Sequence, residues 1–171
     1  FMGYQAGYNN TLGAQNYFSG HQAGYSNIVL SANHFEGYQA GYNSTSGFGN
    51  HFSGYRSGYN NISGGRNVAV GYGTGFNLTT GSENTFLGYL AGYSDGAGGF
   101  NTYVGSSAGT SATGSLNVAI GYETGTVNTV SNNVFIGYQA GRNTTSGPNN
   151  VFIGSQAGLS NTTGTGHTFI G

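Results

Sequence analysis

The sequence predicts an all-β fold: a parallel β-solenoid, a β-roll or β-helix of about ten coils of 16–17 residues. Three observations point there. The first is a register of glycines at 3, 20, 37, 54, 71, 88, 105, 121, 137, 154 and 171, each but the last followed four residues later by a second. Self-similarity at a fixed period is the signature of a repeat architecture. The second is the unit length, 17 residues with two spacings of 16, which is too short for two helices. The third is composition. Glycine supplies 35 residues and proline one, aromatics reach 15% and charged residues only 4%, so the chain is neither collagen, nor a proline-rich linker, nor disordered for want of apolar groups.

The unit reads N-[VT]-F-[IV]-G-Y-Q-A-G, followed by a looser run of Asn, Ser, Thr and Gly. That run lacks the Ala and Leu a helix would use. Stretches such as Asn149 to Gly154, with Val151, Phe152 and Ile153 between Asn and Gly, are β-like, and each unit is expected to hold one short strand pair plus turns. Coils stacked at the inter-strand spacing of ~4.8 Å make a rod of roughly 48 Å. Residues 1–171 read as a single repeat domain. Because Phe1-Met2-Gly3-Tyr4 falls inside a repeat, the chain is expected to be a window on a longer fibrous protein.

Stacking turns every repeat position into a row. Asn16, Asn33, Asn50, Asn67, Asn84, Asn101, Asn117, Asn133 and Asn150 form one row, with His167 in the last such place. It reads as an amide ladder or as turn asparagines bonding their own backbone, and both readings are structural. Two residues before the anchor glycine comes an aromatic row: Phe18, Phe35, Phe52, Phe86, Tyr103, Phe135, Phe152 and Phe169, with Phe1 at its start and Ala69 and Ala119 within it. It never becomes charged and reads as the continuously buried row. Immediately before the glycine stand Met2, Ser19, Glu36 and Ser53, then Val70, Leu87, Val104, Ile120, Ile136, Ile153 and Ile170. Strand alternation sends this row to the opposite face, wet at one end and apolar at the other. So small a coil cannot enclose two large apolar rows, and association with identical chains, a homotrimer in the preferred version, would cover the second.

The glycine rows mark corners, where positive φ or close backbone approach is required. Tyr4, Tyr38, Tyr55, Tyr72, Tyr89, Tyr122 and Tyr138 follow the anchor glycine, and a second set (Tyr8, Tyr25, Tyr42, Tyr59, Tyr93) follows the second glycine. Tyrosine rows could present an exposed sugar-binding surface, although stacked rings that cover the rod are the simpler reading.

Several function classes are excluded or disfavoured. Net charge is −1, with no basic stripe to neutralise phosphates, so no nucleic-acid partner is expected. Cysteine is absent, which removes disulfides and thiolate metal sites. No apolar run approaches the ~20 residues of a membrane helix, so no membrane insertion is expected in this segment. The four carboxylates, Glu36, Glu83, Asp95 and Glu123, are scattered. His34, His51 and Glu36 fall together and could converge on a metal or anion in a trimer, but they read as a hydrated patch. No catalytic residue, cofactor or metal is expected.

The segments NVAVGYGTG (67–75), NVAIGYETG (117–125) and NVFIGYQAG (133–141) resemble the head repeats of trimeric autotransporter adhesins. They are also similar to the YQAG-type repeats of phage and bacterial tail-fibre proteins. The resemblance covers essentially the whole chain. It implies a trimeric, parallel β-roll displayed outside the cell or virion as a stalk or attachment surface. The unit here is longer than the autotransporter repeat and often carries Phe where that repeat has a small residue.

The expected role is therefore a non-catalytic shaft or head of an extracellular fibre or adhesin, at a cell or virion surface, with identical chains as partners. The alternatives are a glycan-binding module that uses the Tyr and Asn rows, and an ice-binding solenoid. The last is disfavoured because the row holding Thr85, Thr102 and Thr168 is interrupted by Val68, Val118, Val134 and Val151.

Overall fold

The computed structural model describes all residues except Leu30. Its described residues contain no helix and ten strands of three residues each. They are β1 (Tyr17–Ser19), β2 (His34–Glu36), β3 (His51–Ser53), β4 (Val68–Val70), β5 (Thr85–Leu87), β6 (Thr102–Val104), β7 (Val118–Ile120), β8 (Val134–Ile136), β9 (Val151–Ile153) and β10 (Thr168–Ile170). All pair in parallel, in sequence order, as one ten-stranded sheet. Equivalent repeat positions face one another, as in Phe18 with Phe35 and Phe135 with Phe152. The chain is a β-solenoid of about nine turns.

Each coil holds one strand, not the expected pair. Left-handed backbone on both sides of the strand is the reason. The residue before each Asn has positive φ, as at Arg66 (57°), Glu83 (61°) and Phe100 (61°). So does the second residue after the anchor glycine, as at Gln39 (54°), Arg56 (51°) and Leu90 (54°). Such a conformation costs an L-residue roughly 1–2 kcal/mol. It persists here because the amides at these corners bond the adjacent coil: Arg66 N–H donates to Phe48 C=O at 2.8 Å, and Arg56 N–H to Tyr38 C=O at 2.8 Å.

The two glycine rows are required for different reasons. A Cβ on Gly37 (φ 127°) would lie 2.5 Å from the carbonyl oxygen of Gly54 on the next coil. A Cβ on Gly41 (φ 59°) would lie 2.5 Å from the ring of Phe35 in its own coil. The first glycine lets backbones stack, and the second makes room for the core ring.

The coil closes over a single large row. Phe18, Phe35, Phe52, Phe86, Phe135 and Phe152 are fully buried, as is Tyr103 to within 1%. Their rings stack along the rod at 5.0–5.3 Å, for example Phe18 on Phe35 and Phe135 on Phe152. Phe169, in the last coil, is 42% exposed because no further coil covers it. Opposite lies a row of buried alanines, including Ala23, Ala40, Ala91, Ala108 and Ala140. Where the aromatic is missing, the small residue grows. Ala69 is answered by Thr74 and Leu78, and Ala119 by Thr124, all buried. The threonine hydroxyls donate to Gly88 C=O (2.6 Å) and Gly137 C=O (2.7 Å) on the next coil.

The asparagine row is a ladder whose principal rungs run from side chain to backbone. Oδ1 of Asn50 accepts the backbone N–H of Asn67 (2.9 Å), Asn67 that of Asn84 (2.9 Å), and Asn84 that of Asn101 (2.8 Å). Nδ2 donates to a carbonyl 14 residues on, almost one coil ahead, as from Asn67 to Gly81 and from Asn84 to Gly98. Direct amide–amide bonds are secondary, as from Asn67 to Asn50 at 3.1 Å. A buried Asn thus closes each coil and joins it to the next.

Candidate functional site

Three features of this rod are not accounted for by coil stacking alone. The first is the outward face of the sheet. Alternation within each three-residue strand buries its centre and turns its ends outward. Val70, Leu87, Ile120 and Ile153 are 36–38% exposed, and Val104 and Ile136 between them are half-buried. At one residue per coil these β-branched and leucine side chains form an unbroken apolar stripe. Toward the other end the same row is Ser19, Glu36 and Ser53. There Tyr17, His34 and His51 stack at 4.5 Å, and His34 Nε2 lies 3.7 Å from Glu36 Oε2. Partial burial and the neighbouring His34 both push His51 below the ordinary histidine range. Among the described residues no group of three or more acidic or histidine side chains is placed to hold a metal ion.

The second feature is a pair of aromatic ladders on another flank. After the anchor glycine, Tyr4, His21, Tyr38, Tyr55, Tyr72 and Tyr89 stack at 4.8–5.4 Å. Tyr122 and Tyr138 resume the row after Ser106, at 5.7 Å. After the second glycine, Tyr8, Tyr25, Tyr42, Tyr59, Phe76 and Tyr93 stack at 4.9–5.3 Å. Stacking covers the ring faces with neighbouring rings, so within the ladders it is edges and hydroxyls that meet solvent. A sugar cannot lie on a ring face inside such a ladder, which restricts how the tyrosine rows could bind a glycan.

Between the ladders runs a row of polar side chains. Gln22 Nε2 donates to Gln5 Oε1 (3.0 Å), Gln39 Nε2 to Gln22 (2.9 Å), and Arg56 Nε to Gln39 (2.9 Å). Gly73 interrupts the row and leaves a notch of about 120 Å³ lined by Tyr55, Arg56, Tyr72, Gly73, Phe76 and Tyr93. With the rows and the notch in place, comparison adds no relative. No protein family, curated protein or solved structure matches this chain.

The third feature is a buried acid. Asp95 occupies a row held elsewhere by Asn61 and Asn128, and it is fully buried. Its Oδ2 accepts from Asn101 Nδ2 at 2.8 Å, while Oδ1 receives no hydrogen bond of full geometry among the described residues. Burial pushes this carboxyl up to about 7, against the opposing pull of Asn101 and the Gly98 amide. The Tyr103 hydroxyl, in the aromatic core row, is likewise buried with no hydrogen bond of full geometry among the described residues, Asn117 being the polar side chain that acts on it. Burial and the nearby Asp95 hold it well above the usual tyrosine range.

Sequence reasoning singled out the rows but not these interruptions. Gly73 is the member without a side chain in a row that elsewhere holds Gln, Arg, Leu, Ser and Glu, and Asp95 is an acid in a row of Asn, Ser, Thr, Leu and Ala. Both stand out once the repeats are aligned position by position.

Proposed function

We propose that this chain is a non-catalytic shaft or head segment of an extracellular fibre or adhesin, displayed at a cell or virion surface and associated with identical chains. The observation that carries the reading is the apolar stripe from Val70 to Ile170 on the outer face of a hydrogen-bonded rod. Burying it in a cyclic assembly brings the same row of every protomer together on a common axis, and three chains are the preferred number. Lateral stiffness then comes from inter-coil hydrogen bonds and from the stacked core, which is built as two clusters, Phe18 to Ala119 and Phe135 to Ala157. With only three arginines and no lysine, the rod also presents few sites to trypsin-like proteases.

Sedimentation velocity tests this. The chain mass is 17.5 kDa, and the main species is expected at three times that value. Ile136→Asp places a charge in each copy of the stripe and is expected to yield folded monomer, since the residue is not part of the coil's own core. A monodisperse wild-type monomer at tens of micromolar would sink the proposal.

A further inference from the structure

We propose that the notch at Gly73 is a binding site for the carboxylate group of an acidic sugar, with Arg56 as its anchor. Three observations converge on it. Gly73 is not demanded by the backbone: its φ of 61° matches the 50–60° adopted by Gln, Arg, Leu, Ser and Glu in the same row. A Cβ there would lie 2.7 Å from the tip of the flexible Leu90 side chain, which can swing aside, and in ordinary contact with the Tyr93 ring at 3.7–3.8 Å. What the glycine provides is space.

Arg56 borders that space with an uncommitted charge. Arg66 pairs with Glu83 at 2.8 Å and Arg142 with Glu123 at 3.3 Å, whereas Arg56 has no carboxylate partner among the described residues. Its Nε is engaged by Gln39, and its guanidinium carbon lies 5.3–6.0 Å from the ring centroids of Tyr55, Tyr59 and Tyr38. The remaining fork of N–H donors matches a carboxylate in bidentate geometry.

The walls favour the same sign of charge. Tyr93 turns the Cδ2–Cε2 edge of its ring toward Gly73, and an aromatic edge is the positive part of its quadrupole. A notch of about 120 Å³ has room for a carboxylate head with its first waters, and Arg56 at its wall would hold that end of an acidic sugar ring. The ring would rest outside it, across the tyrosine hydroxyls. An extended peptide is disfavoured because the local amides are already used: Gly73 N–H bonds Tyr55 C=O (2.9 Å), and Leu90 N–H bonds Tyr72 C=O (2.9 Å). No free edge exists there for strand addition.

The test is calorimetric titration of the full chain with glucuronate, glucose, inorganic sulfate and a short glutamate-rich peptide at low salt. Two variants accompany it. Arg56→Gln removes the anchor, and Gly73→Gln fills the notch with the residue common in its row. Saturable glucuronate binding is expected, weakened at least tenfold in both variants, and at least tenfold weaker for glucose, sulfate and peptide. Thermal melts check that both variants stay folded, and Gly73→Gln decides alone if Arg56→Gln does not. Absence of saturable glucuronate binding overturns the site, as does binding indifferent to both variants. Sulfate or peptide binding as tight as glucuronate overturns the sugar assignment. The oligomer mass plays no part in this readout, so the site and the fibre reading fail separately.

Discussion

Replacing Asp95 by Asn should stabilise the solenoid at neutral pH and leave it unchanged in acid. The folded chain keeps the Asp95 proton up to about pH 7, because burial of the carboxyl outweighs the pull of Asn101 and the Gly98 amide on its charged form. The unfolded chain releases that proton near the ordinary value of 3.8. Between those values the unfolded state binds fewer protons, so stability falls as pH rises. The contribution of the neutral carboxyl is complete below pH 3.8 and gone above about pH 7. At 1.36 kcal/mol per pH unit, the whole interval is worth about 4 kcal/mol. Asn fits the same row at positions 61 and 128, and it does not titrate. Guanidinium unfolding followed by far-ultraviolet circular dichroism, from pH 4 to pH 8, measures the difference between variant and wild type. Taking the difference cancels titration elsewhere, including that of His51, whose depressed value acts in the opposite direction. A gap that opens with rising pH and levels off above pH 7 is expected. A gap that is constant with pH, or that widens toward acid, would refute the reasoning.

Gly41→Ala should destabilise by roughly 2–4 kcal/mol in denaturant unfolding, since its Cβ meets the Phe35 ring at 2.5 Å and its φ is 59°. Asn67→Ala should cost about 2–5 kcal/mol, because the Asn84 N–H and the Gly81 carbonyl both lose their buried partner. Hydrogen exchange at the Asn84 amide reads that loss locally. Ala119→Phe alone should destabilise by about 1–3 kcal/mol through overpacking, while Ala119→Phe with Thr124→Ala restores the common pairing and should recover most of it. Additive single-mutant costs would remove the claim that the two positions share one volume.

Much of the fold was legible because repetition exposes registry. The 17-residue spacing fixed which residues stack, and the row of Phe18, Phe35 and Phe52 never accepts charge, so the buried side could be read directly. The extra strand was a misreading. Residues such as Glu83, Phe100 and Leu90 carry no local mark of the left-handed backbone they adopt, which the bonds to adjacent coils impose. The asparagine rungs were legible as a row but not in their partners, since Oδ1 reaching a backbone amide of the next coil depends on the shape of the turn. The candidate notch was harder to see. A lone glycine among 35 has no signature until alignment places it where neighbouring coils carry Arg56 and Leu90. Ring stacking along the rod, which turns tyrosine edges outward, also follows from coil geometry rather than from the tyrosine count.

Cryo-electron microscopy of the assembled chain, read in cross-section, shows whether identical chains bury the apolar stripe on a common axis. Three coils around one axis are expected, with Val70, Leu87, Val104, Ile120, Ile136 and Ile153 turned inward and the tyrosine ladders outside. A single coil per cross-section, or an axis lined by the tyrosine ladders, would contradict it.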